Sequence, residues 1–430
     1  MSSVVETGIV LFGSMMILFV LKVPIAFALG LSSVITIVLF MNVPLTLVPQ
    51  RLFTSMDSFT FMAVPFFVLA GTIMSKGGIS ERLVAFANAL VGHLSGGLGL
   101  VSVVTCMFFA AVTGSAAATT AAVGGIMIPA MVERKYDIRF ASAVNASGGT
   151  IGVILPPSIP FITYGVLTGT SISALFIAGI GPGIIMGLFL CIAVFIISKK
   201  RGYREPVTAS SLEVWRTFRR AILALLMPFI ILGGIYSGVF TPTESAVIAV
   251  MYGFVVSKFI YRSVTWREMG GVLSQAAVTS AQIMILIASA SLFGWVLAVN
   301  RIADAIAGQF LAISDNVIII LLLINVLLLI MGAFLDTIAA LIILVPILFP
   351  VAMELGVDPV HFGMIICVNL AVGMVTPPFG ACLFVASSIA KIKLEAILSQ
   401  MGPFLIALLC AILLVTYFAP LSMFLPGLMR

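Results

Sequence analysis

The chain has 430 residues, of which 62% are hydrophobic and 8% charged, with a net charge of +6. That balance excludes a soluble globular protein, in which about 25% of residues are charged. The basic residues sit in a few short loops, which argues membrane topology rather than nucleic-acid binding.

Apolar runs long enough to cross a hydrocarbon core of about 30 Å recur from end to end, so the class is an all-α polytopic membrane protein. Strict alternation in short segments, the mark of a transmembrane β-barrel, is missing. The cysteines, Cys106, Cys191, Cys367, Cys382 and Cys410, lie in apolar segments without CxxC spacing and read as packing residues. The start, MSSVVETGIVLF, has no basic n-region and reads as a first span rather than a cleaved leader.

Spans are predicted at 4–21 and 24–41, divided at Lys22-Val-Pro24. A polar, proline-bearing connection follows at 42–58, then a span at 59–75. Lys76, Glu81, Arg82 and His93 alternate with apolar residues at helical spacing over 76–96, the pattern of an interfacial amphipathic helix. His93 there reads as interfacial rather than as a ligand.

Residues 97–131 exceed one span, and the small polar run TGSAAATTAA interrupts them from Thr113. They predict a re-entrant hairpin with its tip near Gly114-Ser115, since non-helical backbone at membrane depth survives only where protein or a wet cavity covers it. Residues 140–169 are broken by GGTIG and LPPS; Pro156 and Pro157 lack donors and push Leu155 toward an extended conformation, leaving two half-helices with an unwound link. A span at 174–198 follows. The loop 199–220, with Lys199, Lys200, Arg201, Arg204, Arg216, Arg219 and Arg220 against Glu205 and Glu213, is placed in the cytoplasm. Spans at 221–236, 243–260 and 270–299 come next, then an amphipathic piece at 300–315. A second hairpin is predicted over 317–351 with its tip near Asp336-Thr337, a second broken span over 361–390, and a closing span over 396–424.

The two hairpin regions are copies. At a constant offset of 221 residues, Pro129 falls on Pro350, Asp137 on Asp358, Gly152 on Gly373, Pro156-Pro157 on Pro377-Pro378 and Gly181-Pro182 on Gly402-Pro403. The first hairpin exits into the basic ERKYDIR and the second into MELGVDP, which has no basic residue. Positive-inside then puts their mouths on opposite sides, so the repeat is inverted, with about ten full spans and two opposed hairpins. This count places both termini outside. The organisation read is N-terminal scaffold spans over 1–75, a first repeat over 76–198, the basic loop 199–220, scaffold spans over 221–278 and a second repeat over 279–430. Paired Gly/Pro interruptions of this kind point to the binding site of a secondary transporter.

Asp336 lies inside an apolar run, where an unpaired charge costs roughly 2.5–3.5 kcal/mol. Its counterpart in the first copy is Ser115. An intramembrane carboxylate is an ion ligand, a proton site or a substrate contact, or else it is hydrogen-bonded to a neighbouring helix. Hydroxyls and amides gather at both breaks: Thr113, Ser115, Thr119, Thr120, Asn145, Ser147 and Thr150 in the first copy, Thr337, Asn369 and Thr376 in the second. Each alone could bond its own helix. Together with freed carbonyls at 152–157 and 373–378 they suit a hard cation, while half-helix N-termini suit an anion. Glu244, in TPTESAV, follows a Gly/Pro turn and reads as a helix start. Walker A, HExxH and GxSxG patterns do not occur, which speaks against ATP-driven transport by this chain and against metallohydrolase chemistry.

GSAAATTAAVGGIMIPAM, NASGGTIGVILPPSIPFITYG, FTPTESA, LDTIAALIILVPILFP and NLAVGMVTPPFG resemble the large membrane (M) subunit of tripartite ATP-independent periplasmic (TRAP) transporters, over essentially the whole chain. The resemblance implies a bacterial inner-membrane, sodium-coupled importer of organic acids with an elevator-type fold, not an enzyme. It implies two partners, a small four-helix membrane subunit (Q), expected here as a separate polypeptide, and a soluble periplasmic binding protein (P). Carried over, one sodium site would use Thr113, Ser115 and backbone of Gly152, Leu155 and Pro157. A second would use Asp336, Thr337 and backbone of Gly373, Thr376 and Pro378. Substrate would sit near Ser115, Asn145 and Asp336. The similarity leans to the sialic acid branch, with the C4-dicarboxylate branch as the alternative. A stand-alone sodium–carboxylate symporter of similar design stays open, and would need no binding protein.

Overall fold

The computed structural model describes residues 2–203, 210–314, 316–378 and 380–428, and its regular structure is entirely helical. The first spans are α1 (Ser2–Val20) and α2 (Ile25–Phe40), parted where Lys22 takes φ +62 and Pro24 opens α2. Over 42–58, where the sequence predicts a connection, a helix α3 (Leu47–Met56) forms instead. Pro49 does not prevent it, because a first-turn N–H has no partner within the helix anyway. α4 (Ala63–Lys76) and α5 (Ile79–Val91) meet at a 69° bend, and Gly78 there takes φ +67, a conformation that favours glycine.

The first hairpin is α6 (Gly97–Thr113) and α7 (Ala116–Glu133). The first broken span is α8 (Ile138–Gly149), a 3-10 turn at Thr150–Val153, and α9 (Ile159–Thr168). α10 (Ile172–Ala178) and α11 (Ile180–Arg201) close the copy. α12 (Ser211–Tyr236) begins where Ser210 accepts the Glu213 N–H at 3.2 Å. The predicted loop 199–220 is therefore shorter than its polarity suggests, because helix continues into its basic flanks on both sides. Residues 204–209, with Arg204 and Glu205, lie outside the described residues.

α13 (Pro242–Val255) ends in a π turn at Val256–Ile260, and α14 (Trp266–Val299) and α15 (Ile302–Ile313) follow. The second hairpin is α16 (Val317–Phe334) and α17 (Thr337–Glu354), and the second broken span is α18 (Pro359–Gly373) and α19 (Ala381–Ala390). The predicted closing span breaks early, into α20 (Leu394–Tyr417) and α21 (Pro420–Gly427), since Pro420 supplies no N–H to continue α20. Eight described helices, or nine with α4 and α5 taken as one span, are long and apolar enough to cross a membrane. That tally is not the span count read from sequence, because it includes three hairpin arms and leaves out the short helices α1 and α2 and the half-helices of the broken spans.

The duplication is visible in the helices. α7 and α17 begin 221 residues apart, as do α8 and α18, and Pro156-Pro157 and Pro377-Pro378 are both cis. The break between α4 and α5 recurs between α14 and α15 at an offset of 223. An outer group, α1–α4 with α12–α14, packs α2 on α1 and α14, and α4 on α13 and α14. In the inner group α6 and α7 clasp α8, and α16 and α17 flank α18. The copies interlock, since α9 packs on α17 and α19 packs on α7 and α8.

Gly332 on α16 and Gly373 at the end of α18 let these helices touch backbone to backbone. A Cβ on Gly373 would stand 2.5 Å from the Gly332 Cα. Gly373→Ala is expected to destabilise the protein by about 1–3 kcal/mol, read as a lower midpoint in a thermal melt of the detergent-solubilised chain. Gly402→Ala, with nothing within 4 Å of the added carbon, is the control that should melt no earlier than wild type.

Candidate functional site

Each hairpin turns at a residue that caps its second arm. Gly114 takes φ +63 after Thr113, and Ser115 then lies extended with its Oγ accepting the Ala118 N–H at 3.4 Å. In the other hairpin Asp336 is the cap, and its Oδ2 accepts the Ile338 N–H at 3.2 Å. Serine and aspartate are favoured there because a side-chain oxygen satisfies a first-turn donor. The intramembrane position of Asp336 thus has a local structural cause as well as a chemical one.

The first link is wholly buried. Ser158 closes it, donating to the Val153 carbonyl at 2.5 Å and capping α9. The hairpin tip rests directly on it. A Cβ on Gly114 would come 2.5 Å from the Pro157 carbonyl oxygen, and one on Gly152 would come 2.6 Å from the Ser115 carbonyl oxygen and 2.5 Å from Thr119 Oγ1. The Thr113 and Thr119 hydroxyls are 3.0 Å apart. Hydroxyls and carbonyls of the tip and link therefore crowd together in a neutral, oxygen-only donor set that fits a hard cation. Of the predicted backbone ligands here, Gly152, Leu155 and Pro157 all lie buried behind the tip.

The second link is built differently. Gly373 accepts the Thr376 N–H at 2.9 Å, and the Thr376 hydroxyl turns back to the Val372 carbonyl at 3.0 Å. Thr337 Oγ1 points to the Met374 sulfur at 3.1 Å. Pro377 and Pro378 are exposed. The strong oxygen donor at this end is the Asp336 carboxylate, which is also exposed, into a cavity.

That cavity, about 420 Å³, lies between the two tips and the outer helices α4 and α14. Thr113, Ser115, Asp336 and Thr337 all line it, so four of the sequence-predicted residues come together on one surface. The first turns of α7, α9 and α17 also end on it, and the positive ends of their helix dipoles give it partial positive charge. The opposite wall carries Thr72, Ser75 and Lys76 from α4 and Gln275, Thr279 and Gln282 from α14. Sequence reasoning missed this wall. The signal was present in the spacing of Gln275, Thr279 and Gln282, which puts three polar residues on one face of an apolar helix.

Asn145 is not brought to the cavity. It is fully buried in α8, and its amide, oriented to satisfy both ends, donates to the Thr120 carbonyl and accepts the Gly124 N–H, each at 3.0 Å. Its side chain is committed to docking α8 on α7, which corrects its placement beside Ser115 and Asp336. Glu244 is the helix start that the sequence suggests: its carboxylate accepts the Thr241 N–H at 2.8 Å and the Thr241 hydroxyl at 2.9 Å. His361 is buried with Nε2 3.2 Å from the Thr416 carbonyl oxygen, and His93 is exposed beyond α5; neither lines the cavity.

A family model described as "Tripartite ATP-independent periplasmic transporter, DctM component" matches residues 12–421. The isethionate TRAP transporter permease protein DctMQ of Oleidesulfovibrio alaskensis is 46% identical over 97% of this chain, which spans 66% of that relative's length. The C4-dicarboxylate TRAP transporter large permease protein DctM of Pseudomonas aeruginosa is 41% identical, with 93% of this chain and 94% of the relative covered. The sialic acid TRAP transporter large permease protein SiaM of Vibrio cholerae is 38% identical, with 97% and 98% covered. In three dimensions the chain is similar to the YdaH transporter of Alcanivorax borkumensis, with a TM-score of 0.63 at 15% identity over 94% of this chain and 98% of that one. That likeness establishes the fold, an all-α polytopic transporter architecture.

The placement of Asn145 has a measurable consequence. Asn145→Ala strands a buried packing position and is expected to cost about 1–3 kcal/mol, lowering the thermal midpoint. Ser115→Ala, which loses only a long cap contact at a half-buried site, should cost about 1 kcal/mol or less.

Proposed function

Because the chain belongs to the family of the DctM component of tripartite ATP-independent periplasmic transporters, a multi-pass inner-membrane permease and not an enzyme, we propose that it imports an organic acid delivered by a periplasmic binding protein, driven by sodium ions. The observation that carries this reading is the meeting of two duplicated hairpin tips, one capped by a hydroxyl and one by a carboxylate, on a single cavity between the inner and outer helix groups.

The tips supply oxygen donors for the coupling cations. Thr113 and Ser115, with backbone of Gly152, Leu155 and Pro157, would serve one; Asp336 and Thr337, with backbone of Gly373, Thr376 and Pro378, would serve the other. The acid would bind between them, at the N-terminal turns of α7, α9 and α17, beside Ser115 and Asp336. Sodium supplies the driving force, and the residues of this chain supply position and charge balance. Inner and outer groups meet across the cavity, which suits an elevator cycle in which the inner group carries its load past fixed outer helices.

The cavity extends along α4 to Lys76 and along α14 to Gln275. Those ends adjoin the basic turn with Lys258, Arg262 and Arg267, which positive-inside assigns to the cytoplasm. We therefore read this arrangement as the cytoplasm-facing state. A relative whose name joins M and Q supports a Q-type membrane subunit as partner. For the cargo, the motif resemblance leans to sialic acid. The relative named for isethionate and the Pseudomonas aeruginosa one named for C4-dicarboxylates are more similar to this chain than the Vibrio cholerae one named for sialic acid, so all three acids belong in the test.

The test is uptake into proteoliposomes holding this chain and its small subunit. Labelled N-acetylneuraminate, succinate or isethionate is offered with its own binding protein, with and without an inward sodium gradient. Uptake of one acid that needs both sodium and the binding protein is expected, and Asp336→Asn should abolish it while leaving the assembled complex intact. Sodium-driven uptake without any binding protein would favour a stand-alone symporter. Wild-type rates in Asp336→Asn would remove the carboxylate from the ion site.

A further inference from the structure

We propose that Lys76, with Ser75, Gln275 and Gln282, forms an anion subsite on the outer helices that receives the acidic group of the cargo when the tips face the cytoplasm. This rests on the reading of the chain as an organic-acid permease and assigns a role to a wall of the cavity that the ion sites leave unused.

Two ionisable side chains line the cavity among the described residues, Asp336 on the inner wall and Lys76 on the outer one. An organic anion entering this space meets repulsion from Asp336 wherever that carboxylate is not neutralised by a cation. Helix N-termini offset part of it, but each carries only about half a charge. Lys76 is the full positive charge on that surface.

The environment of Lys76 differs from that of the cations around it. Arg82 donates to the Gly78 carbonyl and lies 3.7 Å from the Tyr261 ring centroid. Lys258 donates to the Val264 carbonyl at 3.1 Å and sits 4.6 Å from the Trp266 ring centroid. Lys76 is exposed and makes neither a hydrogen bond nor a contact ion pair among the described residues. Glu268 lies within Coulombic reach, but its carboxylate is held by the Thr265 N–H and hydroxyl, each at 2.7 Å. The ammonium is therefore available to a ligand.

Gln275 and Gln282, seven residues apart on one face of α14, are exposed and line the same space. Their amides provide neutral donors beside the charge, the combination that holds a carboxylate or sulfonate by charge-assisted and ordinary hydrogen bonds together. α4 and α14 belong to the outer group, so this subsite does not travel with the tips. It acts on the cargo in the cytoplasm-facing state and not in the opposite one.

Exchange in proteoliposomes separates the two faces. Labelled acid enters from outside through its binding protein, and unlabelled acid is varied inside. Isethionate, succinate and N-acetylneuraminate are each tried. Lys76→Gln should raise the internal half-saturation about ten-fold, the loss of one charge-assisted contact. External and sodium half-saturation should stay within about two-fold, and Lys76→Arg should keep the internal value near wild type. The difference between Gln and wild type should narrow at high ionic strength, because an exposed charge is screened. An unchanged internal half-saturation in Lys76→Gln overturns the subsite, as does an equal rise on both faces. If the wild-type complex exchanges none of the three acids, the proposed cargo class falls and the subsite with it.

Discussion

Backbone in contact with lipid has no water to bond to, so every departure from helix at membrane depth must be covered by protein or face a wet cavity. The arrangement of the inner group follows from that requirement. At the first break the tip of one hairpin lies on the link of the adjacent broken span, with Gly114 against Pro157 and Gly152 against Ser115. At the second, the Gly380 N–H reaches the Ala333 carbonyl of the hairpin at 3.3 Å and the Cys382 N–H reaches the Met374 carbonyl at 3.1 Å. The glycines permit the approach and the caps satisfy the donors that open each new helix. Carbonyls and hydroxyls that a continuous helix would keep to itself are thereby collected at two points, both beside the cavity. The ion-binding chemistry proposed for the chain is a by-product of how its broken helices are sealed.

The copies share this scheme and differ in how they are held. α6 and α7 pack along one another, whereas α16 and α17 scarcely touch: α16 lies on α18, and α17 is held between α9, α15 and α18. A buried polar cluster fixes that second arrangement. Asn369 Nδ2 donates to Asn325 Oδ1 at 2.8 Å, Asn325 Nδ2 to Thr416 Oγ1 at 3.1 Å, and His361 Nε2 stands 3.2 Å from the Thr416 carbonyl oxygen. The corresponding positions of the first copy are Gly148, Val104, Phe195 and Phe140, and Phe140 packs on the rings of Tyr203 and Phe404. Hydrogen bonds in a low-dielectric core specify direction, while ring packing specifies volume. One hairpin is thus positioned by shape and the other by directional bonds, and the latter carries the carboxylate.

The duplication was legible from Gly and Pro alone, because those residues report backbone conformation directly. The hairpin tips and the two links stand where the sequence predicts them. What stayed hidden depended on which way a side chain faces. Asn145 sits about two turns into α8 from Asp137 and looks like a site residue by sequence, yet it points into α7. Gln275 and Gln282 look like tolerated polar residues in a long span, yet they face the cavity. In a helix buried on several sides, periodicity does not distinguish a neighbour's backbone from a water-filled space. α3 was missed for another reason, since Pro49 reads as a breaker except in a first turn.

Charge balance connects these features in the proposed cycle. A carboxylate at the centre of a membrane costs roughly 2.5–3.5 kcal/mol, and an organic acid bound beside Asp336 adds a second negative charge at short range. An inner group loaded with the acid alone would have to move both through a low-dielectric barrier. Cations at the tips cancel that charge, so the group loaded with acid and cations is close to neutral and the partly loaded one is not. Coupling then needs no separate gate, because the uncompensated load is held back by the cost of its own field. The empty group carries Asp336 alone, at an interior where the cap to Ile338 and the α17 N-terminus already offset part of its charge. Its return is therefore less costly than movement with an unescorted anion, and in the proposed cycle the direction of net transport would follow the gradient of the coupling cation.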